Sequence, residues 1–312
     1  MKILLLGANG FIGSHLLTLL EASSLHVRIV TRKHDRTYNP RFDIFHGDLT
    51  DIDFPYAQLI SDCDVILNCA GEIRDEALMQ RLHVDVTNRL LAAARAKVQA
   101  GGSIHWVQLS SVGAYGPGGS AERHVTESTA PHPVGTYEVT KTIADDLIVE
   151  ACDLPGLTYS ILRPSNVFGE KMSNNSLRQL AAFVKRRLFF YIGFHQSIAT
   201  YVHVDDVAAA LMLCVTEPRA QGQIFNLSND CLLSDLIGAL AKHYSVSAPK
   251  LRVPISIVRL GVAVGSRLVS LPVTQERIDA LTARTRYSTE KIESVLGFRP
   301  SKPVVSYIHE VL

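Results

Sequence analysis

The sequence contains no long apolar segment and no marked excess of charge. No uninterrupted apolar stretch approaches the roughly 20 residues that a membrane-spanning helix needs. The chain has 31 lysine or arginine residues against 30 aspartate or glutamate residues, which gives a net charge of +1. We therefore predict that neither nucleic acid nor a membrane is a partner. Residues 1–6 are apolar but lead into a glycine turn, which is typical of a buried strand and not of a secretion signal.

Cysteine is scarce, and its five positions form no recognisable site. The number is odd, and no pair has the Cys-x-x-Cys spacing of a zinc or redox centre. Disulfide frameworks are typical of much shorter, secreted chains. We predict buried neutral thiols, no bound metal and a cytoplasmic location.

Apolar runs alternate with helical patterns through the first half of the chain. Short strands are predicted over 3–6, 26–30, 43–46, 65–69, 104–109, 158–162 and 223–227. This alternation implies right-handed crossovers and an α/β fold with a doubly wound parallel sheet of the Rossmann type. We assign residues 1–169 to a dinucleotide-binding domain, to which 200–228 return. Residues 170–199 and 229–312 form a smaller substrate-binding portion.

A glycine turn lies between the first predicted strand and the first predicted helix. The segment reads Gly7-Ala-Asn-Gly-Phe-Ile-Gly13. Glycine permits the sharp turn and close approach of a phosphate, and the N–H groups that open the helix favour a pyrophosphate. The sequence therefore predicts a dinucleotide site formed by Gly7, Asn9, Gly10, Phe11, Ile12 and Gly13.

The end of the second strand bears on the choice of cofactor. An acidic residue there binds the ribose 2′-OH of NAD, whereas an arginine accommodates the 2′-phosphate of NADP. Here the chain reads Thr31-Arg32-Lys33. We predict NADP, with Arg32 as its phosphate ligand and NAD as the alternative cofactor. The competing interpretation is that Arg32 and Lys33 belong to a solvated loop.

Three side chains have the order that hydroxyl–carbonyl redox chemistry requires. Tyr137 and Lys141 are four residues apart at the start of a predicted helix and so share one face. The nearby ammonium is expected to lower the pKa of the tyrosine, whose phenol then exchanges a proton with the substrate oxygen. Ser111, at the end of a predicted strand, is expected to donate a hydrogen bond to the same oxygen.

These motifs together resemble those of the extended short-chain dehydrogenases/reductases and their nucleotide-sugar epimerase relatives. The Gly-x-x-Gly-x-x-Gly spacing, Ser111-Val-Gly-Ala-Tyr115-Gly, and Leu162-Arg-Pro-Ser-Asn-Val-Phe-Gly169 are similar to segments of that family. The resemblance implies that Ser111, Tyr137 and Lys141 are catalytic and that the protein is a homodimer. It adds Asp48, Leu49, Ala70, Gly71, Tyr137, Lys141 and Pro164 as cofactor contacts, and Tyr115 and Asn166 as substrate contacts.

Two departures from the family pattern affect the substrate assignment. Ala199 stands where nucleotide-sugar enzymes of this family carry an arginine for the substrate diphosphate. Either another cation replaces it, with Arg186, Arg187, Arg284 and Arg286 as candidates and the last two predicted as substrate contacts, or the substrate has no diphosphate there. His83 stands where the family has asparagine, which is expected to alter packing near the active site. The leading hypothesis is an enzyme, an oxidoreductase or epimerase of a nucleotide-sugar. The alternatives are a reductase of an apolar ketone, of the hydroxysteroid or dihydroflavonol type, and a non-catalytic NADP-sensing regulator.

Overall fold

A computed structural model describes residues 1–34, 37–119, 121–172, 174–265 and 275–312. The strands within these ranges are β1 (Lys2–Leu6), β2 (His26–Thr31), β3 (Asp43–His46), β4 (Val65–Asn68), β5 (Ile104–Leu109), β6 (Glu122–Val125), β7 (Leu157–Pro164), β8 (Asn166–Phe168), β9 (Tyr191–Ile192), β10 (Ile198–Ala199), β11 (Tyr201–His203), β12 (Gln223–Leu227), β13 (Cys231–Leu232), β14 (Arg252–Val253) and β15 (Arg284–Tyr287).

The α-helices are α1 (Phe11–Glu21), α2 (Tyr56–Ile60), α3 (Glu76–Met79), α4 (Val86–Gln99), α5 (Thr136–Ala151), α6 (Ser176–Lys185), α7 (Val204–Thr216), α8 (Leu233–His243), α9 (Ile255–Gly265), α10 (Gln275–Thr282), α11 (Glu290–Leu296) and α12 (Val304–Tyr307). A π-helical segment, Gln80–Asp85, joins α3 to α4. In the described part of the chain, no helix combines the length and apolar character that crossing a bilayer requires.

Seven parallel strands form the central sheet, in the order β12-β7-β5-β4-β1-β2-β3. The order reverses between β1 and β4, and in such sheets ligands bind beyond the carboxyl ends of the strands at this switch point. The prediction of a doubly wound parallel sheet is confirmed. The division into two portions remains a prediction, although β12 does return to the sheet beside β7.

The core explains why β1 reads as a continuous apolar run. Successive strand residues point to opposite faces of the sheet. Ile3 and Leu5 belong to the cluster that includes residues of α1 and α7 on one face, whereas Leu4 and Leu6 join the cluster with residues of α4 and α5 on the other. Since both faces are covered by helices, positions 3–6 of β1 favour apolar side chains, whereas Lys2 at the start of the strand pairs with Asp43 and Asp62.

A separate core lies outside the sheet. Side chains of α6, α8 and α12 form one cluster, and Ile192, Val258 and Ile278 form a smaller one with β9, α9 and α10. The two-stranded pairs β10–β13 and β9–β14 lie within this outer part, and the pair β6–β15 connects it to the rest of the molecule. The helices of this outer part lie within residues 170–199 and 229–312, the ranges predicted for the substrate-binding portion.

Candidate active site

The glycine turn is shaped by contacts that exclude larger residues. Gly7 has φ +79°, and a Cβ there would lie 2.5 Å from the carbonyl oxygen of Cys69. A Cβ on Gly13 would lie 2.1 Å from the carbonyl oxygen of Gly7. Gly10 is the extended N-cap of α1 and offers no side-chain cap. The turn therefore packs closely against the end of β4, and the first-turn N–H groups of Phe11, Ile12 and Gly13 have no partner within the helix. These donors suit a pyrophosphate.

Polar side chains at the ends of β2 and β3 lie beside this turn. Asn9 Nδ2 donates to Thr31 Oγ1 at 3.1 Å. Arg32 is 70% exposed, and its Nη1 lies 3.2 Å from Asp48 Oδ2. The other oxygen of Asp48 accepts from the backbone N–H and hydroxyl of Thr50, at 2.9 and 2.8 Å. Burial alone would raise the pKa of Asp48, but the hydrogen bonds from Thr50 and Arg32 lower it. Leu49, which follows Asp48, is buried.

The end of β4 is fixed by buried hydrogen bonds. Asn68 Oδ1 accepts from the backbone N–H of Ala70 at 3.2 Å, and its Nδ2 donates to Gln108 at 3.0 Å. Trp106 Nε1 donates to the same Gln108 oxygen. Gly71 then passes over the active-site lysine, because a Cβ at this position would lie 3.8 Å from Lys141 Nζ. Ala70 and Gly71 thus lie between the glycine turn and the predicted catalytic residues.

The helix that carries the tyrosine and the lysine begins at a capping box. The Glu138 carboxylate accepts from the backbone N–H groups of Val134 and Gly135, which fixes the start of α5. Lys141 is buried, and its Nζ donates to the carbonyl oxygen of Leu109 at 2.7 Å. Tyr137 is half-buried one turn earlier. The structure therefore brings α5 against the end of β5, two residues before Ser111.

Ser111 caps the short 3-10 helix Val112–Tyr115. Its Oγ accepts from the backbone N–H of Gly113 at 3.0 Å. A hydroxyl has one proton and two lone pairs, so accepting this bond leaves the proton available to donate. Glu138 packs against Gly113, where an added Cβ would meet Glu138 Cγ at 2.8 Å. The close contact between α5 and this short helix places Ser111 on the tyrosine side of the site.

Burial dominates the protonation of the two residues on α5. It raises the pKa of Tyr137 to about 12, and the carboxylates of Asp145 and Glu138 act in the same direction. It lowers the pKa of Lys141 below the usual 10.5, against the opposing effects of Asp145 and Cys69. The prediction that the ammonium lowers the pKa of the tyrosine is wrong for this structure, because Lys141 donates to a backbone carbonyl and burial outweighs its charge.

A buried ion pair supports this helix and was not predicted. Asp145 Oδ2 accepts from Ser110 Oγ at 2.7 Å and from Arg163 Nε and Nη2 at 3.1 and 3.0 Å. Burial opposes ionisation of Arg163, but the Asp145 carboxylate raises the pKa of the guanidinium. The spacing offered a clue, since Asp145 follows Lys141 by one more helical turn. The pair links β5, α5 and β7 beneath the residues predicted to be catalytic.

His83 is the second residue whose role sequence reasoning missed. It lies in the π-helical segment, with Nε2 accepting from the backbone N–H of Glu72 at 3.0 Å and Nδ1 lying 2.8 Å from Thr140 Oγ1. Because Nε2 is an acceptor, the proton of the neutral ring belongs on Nδ1. Burial and the charge of Lys141 lower the pKa of His83 to about 3. Its ring meets that of Tyr137 edge-on at 5.6 Å, so the residue contacts α5 directly.

A cavity extends from Asn166 towards the outer part of the molecule. Asn166 Nδ2 donates to the carbonyl oxygen of Thr200 at 3.0 Å, and both residues line the cavity with Ala199. Pro164, the predicted cofactor contact, is buried at the end of β7. The cavity adjoins an open groove with which it shares Leu180, Tyr201, Ala280 and Leu281. Among the described residues, the Thr285 hydroxyl lines this cavity without a hydrogen-bond partner.

Tyr115 does not line a pocket as predicted. Its side chain is fully buried, its hydroxyl donates to Asn226 Oδ1 at 2.8 Å, and the Arg163 guanidinium lies 5.1 Å from the ring centroid. The short helix after Ser111 turns the ring towards β12 and away from the open site. Tyr115 is therefore a core residue of the structure.

The predicted arginine replacements also point elsewhere. On β15 the side chains alternate, and Thr285 and Tyr287 line the cavity beside Asn166. Arg284 and Arg286 consequently lie on the opposite face, where Arg284 pairs with Glu122 at 2.9 Å and Arg286 is exposed. The expectation that they supply a diphosphate site next to Ala199 is not met, because the strand places them one residue out of phase.

Comparisons with known proteins agree with this geometry. The model of the NAD dependent epimerase/dehydratase family matches residues 3–228. A sterol-4-alpha-carboxylate 3-dehydrogenase (decarboxylating) of Candida albicans is 24% identical over 346 residues, covering 100% of this chain and 96% of that protein. An N-acetyl-alpha-D-glucosaminyl-diphospho-ditrans,octacis-undecaprenol 4-epimerase of Escherichia coli O157:H7 is 22% identical, covering 94% and 89%.

A solved structure shows the same fold. The crystal structure of a UDP-glucuronic acid 4-epimerase from Bacillus cereus, in complex with NAD, has a TM-score of 0.73 at 21% identity, covering 99% of this chain and 97% of that one. The resemblance inferred from the sequence motifs is confirmed. Because the family model spans the glycine turn, the serine strand and the tyrosine helix, the chain belongs to the NAD dependent epimerase/dehydratase family.

Proposed function

We propose that this protein is an NAD(P)-dependent oxidoreductase or epimerase that transfers hydride at a hydroxyl-bearing or carbonyl carbon. The observation that carries the proposal is the position of Lys141, whose Nζ contacts the Leu109 carbonyl oxygen two residues before Ser111 and one helical turn from Tyr137. A bound nicotinamide supplies or accepts the hydride. The turn at 7–13 fits the pyrophosphate of such a cofactor, because its glycines leave the N–H groups accessible.

The three side chains have distinct roles in this proposal. Tyr137, with its raised pKa, is a neutral phenol at physiological pH and is ready to give its proton to a carbonyl oxygen during reduction. Lys141 is anchored on the Leu109 carbonyl oxygen and holds its ammonium on the face of α5 that carries the phenol, one helical turn away. Ser111 donates its free hydroxyl proton to the same substrate oxygen and orients it. His83 and Asp145 position α5.

NADP is our preferred cofactor, and Arg32 supports it. Its guanidinium is mostly exposed and lies at the end of β2, where a 2′-phosphate would replace the weak, solvated contact with Asp48. NAD is the alternative, since the Bacillus cereus epimerase structure contains NAD. Measuring the thermal stability of the protein in separate titrations with NADH and NADPH distinguishes the two cofactors.

An alcohol or ketone attached to an apolar body is the substrate class that the cavity favours. Ala199 offers no charge to a diphosphate, and the groove beyond Asn166 is lined mainly by leucine, isoleucine and aromatic side chains. The sterol named in the first relative is such an apolar body, whereas the undecaprenol named in the second is joined to its sugar through a diphosphate. The buried Thr285 hydroxyl, which lines the cavity beside Asn166, would bind a polar group of the substrate.

A nucleotide-sugar remains the second candidate, and one observation favours it. Arg186 and Arg277 line a cavity next to the groove and would supply the positive charge that Ala199 lacks. In this case the diphosphate would bind farther from Asn166 than the sequence resemblance implies.

The test is a binding and turnover panel with the purified protein. A 3-keto sterol and a prenylated ketone are each added with NADPH or NADH, and loss of nicotinamide fluorescence reports hydride transfer to the carbonyl. UDP-glucose and UDP-glucuronic acid, which carry hydroxyls, are added with NADP or NAD, and a gain of nicotinamide fluorescence or a change of sugar epimer reports their turnover. We expect turnover with an apolar ketone, and Leu180→Gln should raise its KM about tenfold while leaving cofactor affinity unchanged. Leu19→Gln, on an exposed position of α1, is the matched control. Thermal stabilisation by a UDP-sugar that Arg186→Gln abolishes would instead establish the nucleotide-sugar alternative.

A further inference from the structure

The net charge of +1 conceals an uneven distribution along the chain. Residues 171–204 and 236–275 contain ten lysine or arginine residues and no aspartate or glutamate. The rest of the chain therefore holds 21 basic residues against all 30 acidic ones. The prediction that charge excludes a membrane partner rested on the net charge of the whole chain, which averages over these two parts. A field of one sign over part of a surface is sufficient to attract an oppositely charged partner.

The fold brings described parts of the two acid-free segments next to each other. Strand β14 pairs with β9, and the N–H of Gly193 donates to the carbonyl oxygen of Val253 at 2.7 Å. Val258 of α9 packs with Ile192 in the small outer core. The Arg252 guanidinium lies 5.0 Å from the ring centroid of Tyr191. Residues far apart in sequence thus form a common surface on the outer part.

This surface exposes large apolar side chains beside the positive charges. Their exposed fractions are 59% for Leu188, 68% for Phe194, 64% for Leu251, 59% for Ile257 and 66% for Leu260. The exposed cations Lys185, Arg186, Arg187 and Lys250 form no ion pair within the described residues. We call the region the basic apolar face, defined by Lys185, Arg186, Arg187, Leu188, Phe194, Lys250, Leu251, Arg252, Ile257 and Leu260.

We propose that the basic apolar face docks on the surface of an anionic lipid bilayer. Apolar side chains flanked by lysine and arginine are the composition that binds at the boundary between headgroups and acyl chains. Each cation near an anionic bilayer strengthens binding about fivefold. A nucleic acid would leave Phe194, Ile257 and Leu260 without an apolar partner, and a second copy of the same face would oppose like charges.

The position of the face relates membrane docking to the substrate groove. Leu188 belongs to the face and also lines the groove, and Arg186 lines the adjoining cavity. Docking would therefore bring the groove opening to the lipid surface, where an apolar substrate is concentrated. The inference goes beyond the proposed reaction and does not depend on it, because binding to vesicles is measured without substrate.

Co-sedimentation with vesicles tests the electrostatic part. The full-length protein is mixed with phosphatidylcholine vesicles, with or without phosphatidylglycerol. We expect binding only to the anionic vesicles, weakened by salt and about 100-fold weaker in the Lys185→Glu/Arg186→Glu/Arg187→Glu variant. The matched control, Arg74→Glu/Arg81→Glu/Arg95→Glu, reverses three exposed charges on the other portion and should bind like the parent. No binding by the parent protein, an equal loss in the control, or binding to duplex DNA in place of vesicles would overturn the proposal.

Fluorescence tests whether apolar side chains enter the bilayer. The chain has one tryptophan, Trp106, which is fully buried, so a second tryptophan is a clean reporter. Phe194→Trp should show a blue-shifted emission on anionic vesicles and quenching by brominated lipid, and Leu260→Ser should reduce vesicle affinity about tenfold. Unchanged emission on saturating vesicles would contradict insertion. Circular dichroism melts of each variant with and without NADPH show whether it is folded.

Discussion

The carboxyl edge of the sheet and the outer part of the molecule are built in different ways. At the edge, positions are fixed by backbone contacts and buried polar groups, as at Gly7, Asn68 and Asp145. In the outer part, short strand pairs and half-buried apolar side chains surround an open groove, and many cations are exposed. The first kind of construction holds reacting groups to a narrow geometry. The second presents a surface whose affinity is the sum of many small contacts.

The largest difference should appear when the reacting group itself is changed. Tyr137→Phe removes the proton that the substrate oxygen exchanges, so kcat should fall about 10²- to 10⁴-fold while NADPH still binds. The measurement is turnover with whichever substrate the panel identifies, alongside thermal stabilisation by cofactor. A variant that retains biological activity without turnover would favour the NADP-sensing regulator.

The next largest effect is expected from breaking two ion pairs, one in each kind of region. Asp145→Ala leaves Arg163 buried without its partner and should lower the free energy of unfolding by about 3–5 kcal/mol. Glu122→Ala removes the exposed partner of Arg284 and should cost at most about 1 kcal/mol. Urea unfolding of both variants measures the contrast. Equal losses would show that the outer part is as tightly built as the edge.

A smaller effect should appear as pH falls. The pKa of His83 is about 3 in the folded protein against 6.5 in an unfolded chain, so the unfolded state gains a proton first. The contribution of the neutral ring to the free energy of unfolding is fully present above pH 6.5 and is lost progressively as pH falls towards 3. Between pH 7 and pH 5 this amounts to about 2 kcal/mol.

The control for this prediction is the exposed His309, whose replacement by asparagine should leave the pH dependence unchanged. His83→Asn should remove most of the loss of unfolding free energy between pH 7 and pH 5. If parent and His83→Asn lose stability in parallel over that range, His83 is not the buried neutral group described.

The smallest effect concerns an exposed cation at the carboxyl edge of the sheet, Arg32. Arg32→Ser should weaken NADPH binding about tenfold and leave NADH binding unchanged, because only the 2′-phosphate would use the guanidinium. Lys33→Ser is the neighbouring control and should have less effect. Equal weakening of both cofactors, or tighter binding of NADH by the parent, would contradict the NADP preference.

The sequence predicted features that depend on neighbouring residues better than features that depend on residues far apart in the chain. The strand, turn and helix around Gly7 and the placement of Tyr137 and Lys141 one turn apart at the start of a helix follow from short spacings, and the structure has both features. The face of β15 on which each side chain lies does not follow from short spacings, so Arg284 and Arg286 were predicted on the wrong face. Tyr115 was misplaced because its partners Arg163 and Asn226 lie far away in sequence. The groove has no motif, since α6 and α10 contribute to it separately.

The segregation of charge also determines how the molecule behaves in an electric field. Ten cations without an acid in one part, and an acidic excess in the remainder, give the protein a large permanent dipole moment despite its net charge of +1. The field of a charged surface orients such a molecule before contact, so that the side of opposite charge approaches the surface first. We therefore expect both cation- and anion-exchange resins to retain it near neutral pH, because each resin selects a different side of the same particle.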